Sequence, residues 1–410
     1  MQDVQLYQQI LGLSEPWRVK SVTLDRGSRE VRVEVECTEK VWGCGECAQR
    51  MHVHDYERRS WRHLDSCQFA TVITALVPVV KCPTHGAQTV AVPWAEKYSR
   101  FTRLIERLAI DLMLECSVSA ACEILRISWD EADGIKRRAV ARGLERKVAQ
   151  PAPRVGVDEK SAGRGQNYVT VVARLAPGEP ARVEYVADGR KQEALDGYWT
   201  QLPAGHLEQV EAVAMDMSEA YYQSTLKHVP EARSKIVFDP FHLAKHLGEA
   251  VDKVRCQEHR ALLEADDDRL SGTKYMWLRG WETVPQTQRA AFDELKGQKL
   301  KTSRAWALKE TFRDFWACET EAEGREFFAR WYGWAIRCRL EPIKKVARTL
   351  KRRLDNIVTY FTHRITNAAL EGLNNRIAGL VKKAYGYRNR ERFKMDILFH
   401  LGGLDLYPGQ

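Results

Sequence analysis

Three short apolar runs in this chain each end in an aspartate: Val155-Gly-Val-Asp158, Ala212-Val-Ala-Met-Asp216 and Lys235-Ile-Val-Phe-Asp239. Runs of this length read as buried strands, and buried strands in open α/β sheets carry functional groups at their carboxyl ends. A later helix, Asn367-Ala-Ala-Leu-Glu371-Gly-Leu-Asn374-Asn375, adds a glutamate beside two asparagines. Its apolar stripe is Leu370, Leu373, Ile377, Leu380 and Val381, whereas Glu371, Asn375, Ala378 and Lys382 fall on another face. Carboxylates gathered at one sheet edge repel each other unless a divalent cation sits between them. The pattern points to a metal-dependent phosphoryl-transfer site.

At 410 residues the chain exceeds one comfortable core, and two to four domains are expected. After Pro151-Ala-Pro153, which marks a boundary, strand-like Tyr168–Arg174 and a run from Arg182 follow the first aspartate. Helices are expected over 192–201 and from Ser218 to about His228. A long helical stretch, 243–362, then separates the third aspartate from Glu371. It holds six of the twelve tryptophans, at spacings that suit a core.

Two cysteine-bearing pairs share one gap: Cys44-Gly-Glu-Cys47 and Cys82-Pro-Thr-His85. Together they supply the four N/S ligands of a closed structural zinc site, with Gly43, Gly45, Pro83 and Gly86 providing turn geometry. His52, His54 and Cys67 compete as ligands, and His63 reads as a packed residue. Ten cysteines in a chain of this size imply no disulfide framework.

From Arg103 the period becomes helical. Ser117 caps a short helix, and Ser128 caps a longer basic one carrying Lys136, Arg137, Arg138 and Arg142. Short helix, tight turn and longer basic helix make a helix-turn-helix, with those four cations as candidate DNA contacts; a plain helical hairpin is the alternative.

The formal charge is +9 and the pI about 9.0, which favours a polyanionic partner. Basic residues concentrate in 344–353 and 381–390. The second stretch mixes Tyr385 and Tyr387 with Lys382, Lys383, Arg388 and Arg390, which suits phosphate contact and base stacking. No apolar stretch approaches 18 residues and the N-terminus lacks a signal-peptide pattern. Cytoplasmic action is expected, nucleoid-associated on DNA, with no membrane partner.

Further motifs run nearly end to end: Arg62-His-Leu-Asp65, Val92-Pro-Trp-Ala95, Gly156-Val-Asp-Glu-Lys160, Ala214-Met-Asp-Met217, Phe238-Asp-Pro-Phe-His242, Arg364-Ile-Thr-Asn367, Glu371-Gly-Leu-Asn374 and Gly402-Gly-Leu-Asp-Leu-Tyr-Pro408. With the paired zinc ligands, they make the chain resemble insertion-sequence transposases of the ISL3 family. One departure is Gln166, where related chains more often carry histidine.

The resemblance implies a multidomain α+β protein: a β-rich zinc-binding module (1–95), a helix-turn-helix segment (96–150), and an RNase H-like α/β catalytic core (151–243 and 363–410) interrupted by an all-helical insertion (244–362). It implies a D-D-E triad of Asp158, Asp216 and Glu371 holding Mg²⁺ or Mn²⁺, with Asp239, His242, Asn374 and Asn375 in support. It also implies structural Zn²⁺, double-stranded DNA partners (the element's terminal inverted repeats and the target), and a homodimer or larger assembly on DNA. An inactive transposase-derived regulator and an RNase H-type nuclease are the competing readings.

Overall fold

The computed structural model describes residues 3–161, 168–176, 178–365 and 368–409; Gln166 and Asn367 lie outside them. The chain forms two compact units, Met1–Lys147 with Leu404–Gln410, and Val148–Gly403.

The first unit opens with α1 (Asp3–Ile10), β1 (Trp17–Asp25), β2 (Glu30–Cys37), β3 (Val41–Gly43), β4 (Arg50–Ser66), β5 (Phe69–Cys82) and β6 (Gly86–Thr89). The sheet order is β1-β2-β5-β4-β3, with β6 on β5; only β2 and β5 run parallel. Its core alternates along the strands (Val31, Val33 and Val35; Ile73, Ala75 and Val77) and closes on Trp17, Trp61 and Trp94. The Trp94 ring meets the other two edge-on at 5.0 and 5.3 Å, which explains the Val92-Pro-Trp-Ala95 motif. The long β4–β5 hairpin turns through Cys67 and Gln68, both at positive φ (50° and 69°), the twist a two-residue hairpin loop requires.

Three helices follow: α2 (Arg103–Glu115), α3 (Val118–Leu125) and α4 (Trp129–Arg146). The expected caps are present. Ser117 accepts from the Ala120 N–H, and Ser128 forms a reciprocal capping box with Glu131. The Arg62-His-Leu-Asp65 motif braces these helices. Asp65 holds Arg126 at 2.6 Å, and the buried His63 meets the Thr102 hydroxyl at 2.9 Å. The C-terminal tail also belongs here rather than with the Glu371 segment to which sequence assigns it. Arg142 and Arg146 donate to the carbonyls of Leu406 and Tyr407, and the Tyr407 hydroxyl donates to Asp111 at 2.6 Å.

The second unit contains β7 (Arg154–Ser161), β8 (Tyr168–Arg174), β9 (Arg182–Asp188), α5 (Gln192–Gln201), α6 (Ala204–Glu208), β10 (Ala212–Met215), α7 (Glu219–His228), α8 (Ala232–Lys235) and β11 (Ile236–Phe238). Then come α9 (Pro240–Leu263), α10 (Lys274–Leu278), α11 (Gln286–Gly297), α12 (Lys301–Arg313), α13 (Glu321–Arg337), α14 (Glu341–Arg352), α15 (Leu354–His363), α16 (Ala368–Lys383) and α17 (Arg390–Leu401). The five-stranded sheet has the order β11-β10-β7-β8-β9. β7, β10 and β11 are parallel, whereas β8 and β9 form an antiparallel meander beside β7.

One face of this sheet shares a continuous core with α5, α7 and α9 to α15, from Val155 and Val157 through Trp277 and Phe312 to Phe361. The helical stretch therefore has no separate core of its own. Trp277, Trp306 and Trp331 are buried as expected, while Trp334 is exposed. The other face, with Val169, Val171, Ala173 and Ala214, packs α16 and α17 through Leu370, Leu373, Ile377, Phe393 and Ile397. Among the described residues, no helix is long and apolar enough to cross a membrane.

Burial, with the Arg62 charge beside it, pushes the His63 imidazole down to about 4. Its folded value lies below the unfolded one, so the folded state binds fewer protons between about pH 4 and 6.5 and stability falls as pH drops through that window, by roughly 3 kcal/mol. Thermal melts at pH 7 and pH 4.5 should show a smaller acid loss in His63→Gln than in wild type; equal losses would refute the assignment.

Candidate functional site

The first unit brings four soft ligands together. Cys44 and Cys47 sit in the β3–β4 turn, and Cys82 and His85 in the β5–β6 turn; their ligand atoms all lie within 4.8 Å of one another. Cys47 Sγ is 3.7 Å from Cys82 Sγ, and His85 Nδ1 is 3.6 Å from Cys44 Sγ and 3.5 Å from Cys82 Sγ. A zinc tetrahedron with Zn–S of about 2.3 Å has S···S edges of about 3.8 Å and S···N edges of about 3.6 Å. The separations thus match a single Zn²⁺ held by four protein groups.

The turns also prepare two of the three thiols. The backbone N–H groups of Cys47 and Glu46 lower Cys44, and those of His85 and Thr84 lower Cys82, favouring the thiolates that bind metal. Positive φ at Ala48 (57°) and Gly86 (74°) closes the two knuckles. Of the competing ligands, Cys67 is at the far tip of the β4–β5 hairpin, ~40 Å of strand away, and His52 and His54 lie on β4 outside the cluster.

On α4 the structure corrects the expected DNA contacts. Arg142 is buried and bonded to Glu96 and Glu106, at 2.6 and 3.3 Å, and Lys136 is buried as well. Arg138 pairs with Glu106 at 2.5 Å, so the buried Glu106 carboxylate receives two guanidiniums and the Ser99 hydroxyl. Only Arg137 stands on the exposed face, tied to Asp133 one turn earlier at 2.8 Å. The basic look of α4 reflects internal ion pairing more than a phosphate-facing stripe.

In the second unit, register decides the site. Ala214 pairs with Gly156 across β10 and β7, and Met215 with Phe238 across β10 and β11. Counting forward, Asp158, Asp216 and Asp239 stand at the same level on three neighbouring parallel chains, about 4.8 Å between neighbours. The Asp239 N–H donates to the Met215 carbonyl at 3.0 Å, holding the third run in line.

Asp158 Oδ1 accepts from the Glu159 N–H at 2.7 Å, and Oδ2 accepts from the Asn374 amide of α16. Helix α16 comes this close because residue 156 is glycine: a Cβ there would stand 2.5 Å from the Leu370 side chain. Glu371 lies one turn before Asn374 and is exposed, as is Asn375. Asp216 Oδ1 accepts from the Ser218 N–H at 3.0 Å. Burial raises Asp216, opposed by the Ser218 N–H and His242, reinforced by Asp158 and opposed again by His246. Asp239 is buried, 3.9 Å from His242 Nε2.

Sequence reasoning missed several neighbours. Glu159 is raised by burial and by Asp216, and pairs with Arg190 at 3.6 Å. Glu159, Arg190, Lys191, Asp216 and Ser218 line one open cavity of about 590 Å³. The doublet Asp158-Glu159 and the i, i+4 pair His242 and His246 were the available signals. Of the tyrosines expected to stack on bases, Tyr385 is fully exposed, but Tyr387 is spent internally, donating to Asp396 at 2.7 Å. Lys382, Arg388 and Arg390 are exposed and Lys383 half-buried. Among the described residues, only the Cys₃His group closes to within 4.8 Å; Asp158, Asp216 and Glu371 do not form such a cage.

The chain matches three family models. A transposase model of the ISL3 family covers residues 155–397, more than half of the chain. The helix-turn-helix domain of transposase family ISL3 covers residues 90–140, and the zinc-finger of transposase IS204/IS1001/IS1096/IS1165 covers 40–85. It is 27% identical to the transposase for insertion sequence element IS1557 of Mycobacterium tuberculosis, over 95% of this chain and 93% of that protein. It is 25% identical to the transposase for insertion sequence element IS1001 of Bordetella parapertussis, over 90% and 91%.

Two outcomes follow. Metal analysis of the purified protein should find one zinc per chain, lost in Cys44→Ser; unchanged zinc content would refute the site. Gly156→Val should push α16 off β7, lowering stability by ~1–3 kcal/mol and weakening divalent-cation binding measured by calorimetry, whereas Gly372→Ala, where no atom lies near, should do neither.

Proposed function

The chain belongs to the ISL3 transposase family and is a DNA transposase, and we propose that Asp158, Asp216 and Glu371 form its D-D-E triad in an RNase H-like core. The observation that carries this reading is the register of β7 and β10, which sets Asp158 beside Asp216, with α16 fastened to Asp158 through Asn374 and presenting Glu371 one turn away. The sheet order, with two parallel strands on one side of β7 and an antiparallel meander on the other, supports the RNase H-like assignment. Helices α9 to α15 separate the second aspartate from the glutamate and constitute the proposed insertion.

The donor set fits divalent cations: the carboxylates are hard oxygen ligands, and Asp216, raised by burial beside Asp158, gains from a positive charge placed between them. Divalent cations such as Mg²⁺, held by these carboxylates, would supply Lewis-acid stabilisation of the attacking and leaving oxygens. Asp158, on the central strand, would be a principal ligand, oriented by the Asn374 amide and the Glu159 N–H. Asp216 and Glu371 would supply the other carboxylate ligands. Asp239 and His242, behind Asp216, act as supports.

In the cleavage step water attacks a phosphodiester at the element end, and the 3′-oxygen departs and takes up a proton. In strand transfer that 3′-hydroxyl attacks a target phosphodiester and displaces the target's own 3′-oxygen. No protein nucleophile enters either step. The zinc module and the helix-turn-helix are proposed to recognise the terminal inverted repeats, and a dimer or larger assembly to hold two ends together. The carboxylates and their supports are all present, which disfavours an inactive regulator.

Asp158→Asn, Asp216→Asn and Glu371→Gln should each reduce Mg²⁺-dependent cleavage of a duplex bearing the element end by at least about a hundredfold, with zinc content and fold retained. Full activity in any one removes that residue from the triad.

A further inference from the structure

Helix α14 presents a cationic row that the site above does not use. Ile343, Ala347 and Leu350, at i, i+4 and i+7, are its buried face. The opposite side carries Lys345, Arg348, Lys351 and Arg352, all exposed. The nearest compensating acid on this helix is Glu341, which Lys344 already holds at 2.9 Å; Arg348 reaches it only at 3.9 Å. Lys345, Lys351 and Arg352 have no carboxylate at ion-pair distance among the described residues. Lys351 is steadied 4.7 Å over the Tyr332 ring of α13, and Tyr332, Lys345, Arg348, Thr349, Lys351 and Arg352 line one open groove of about 660 Å³.

Helix geometry alone does not account for this row. Cations in the last turn complement the negative end of a helix dipole, which covers Lys351 and Arg352 but does not reach back to Lys345. Unrelieved repulsion along one face costs stability unless a polyanion meets it. From Lys345 to Arg352 is about 10 Å of helix, the rise spanned by about three phosphates along one DNA strand.

We propose that the α13–α14 groove is a sequence-independent binding surface for the phosphate backbone of duplex DNA, with Lys345, Lys351 and Arg352 as contacts and Tyr332 as the platform for Lys351. The proposal rests on the transposase reading for the presence of DNA, and not on the identity of the triad. A backbone surface of this kind would hold DNA beside the specific contacts without selecting sequence.

The test uses the full-length protein and two unrelated 30-base-pair duplexes, with affinity measured by fluorescence anisotropy across a salt series. Each phosphate neutralised contributes about −0.9 to the slope of log K against log salt. Lys345→Ala/Lys351→Ala/Arg352→Ala should flatten the slope by about 2.7 on both duplexes, and Lys345→Arg/Lys351→Arg/Arg352→Lys should restore it. Lys227→Ala/Arg269→Ala/Lys274→Ala, three exposed cations of the second unit that already sit on carboxylates, is the charge-matched control and should leave the slope unchanged. An unchanged slope in the α14 variant overturns the proposal, as does weaker binding without a change of slope, or binding by wild type only to anionic lipid vesicles. If wild type fails to cleave element ends while the α14 variant still loses slope, the catalytic reading falls and this surface stands.

Discussion

The second unit depends on one constraint, the parallel register of β7, β10 and β11. Parallel pairing fixes which residues stand level, and here it levels the last residues of three apolar runs. Everything near the carboxylates then follows from packing on that frame. Gly156 leaves room for Leu370, so α16 lies against β7, and the same approach lets Asn374 reach Asp158. A one-residue slip of β10 would move Asp216 out of line with Asp158 and turn Val213 from one core to the other. The hydrophobic pattern and the proposed chemistry therefore defend the same register.

The first unit is organised by charge and soft ligands as much as by apolar burial. Glu106 sits under α4 and collects Arg138, Arg142 and Ser99. Removing one partner from such a buried group typically costs about 3–5 kcal/mol, since the remaining charge stays desolvated. The C-terminal tail adds backbone carbonyls to Arg142 and Arg146. Helix α4 is thus held by contacts from both ends of the sequence, a rigid base for a DNA-binding element. The zinc cluster performs the corresponding task on the sheet by tying the β3–β4 turn to the β5–β6 turn.

Much of this was legible in the chain. The paired Cys-x-x-Cys and Cys-x-x-His spacing identified its four ligands, and Ser117 and Ser128 marked the starts of α3 and α4. The strand over 168–174 and the helix over 192–201 matched the expected bounds, because period and punctuation are local signals. The DNA contacts on α4 were less legible. Composition marks Lys136, Arg138 and Arg142 as basic, but Glu96 and Glu106, which neutralise Arg138 and Arg142, come from earlier segments. Tyr387 failed for the same reason, its hydroxyl claimed by Asp396 nine residues on.

By itself the sequence determined the ligand types, the three aspartate-ended strands, the apolar stripe of α16 and the family, since these reside in residue identity and short spacing. Only the tertiary structure decided that Asp158, Asp216 and Asp239 stand level, that Asn374 rather than Asn375 reaches Asp158, that the tail 404–410 joins the first unit, and that the unpaired cations lie on α14 rather than α4. Those outcomes are set by long-range pairing and by the desolvation cost of burying a charge, which makes a buried arginine find its carboxylate wherever in the chain that carboxylate lies.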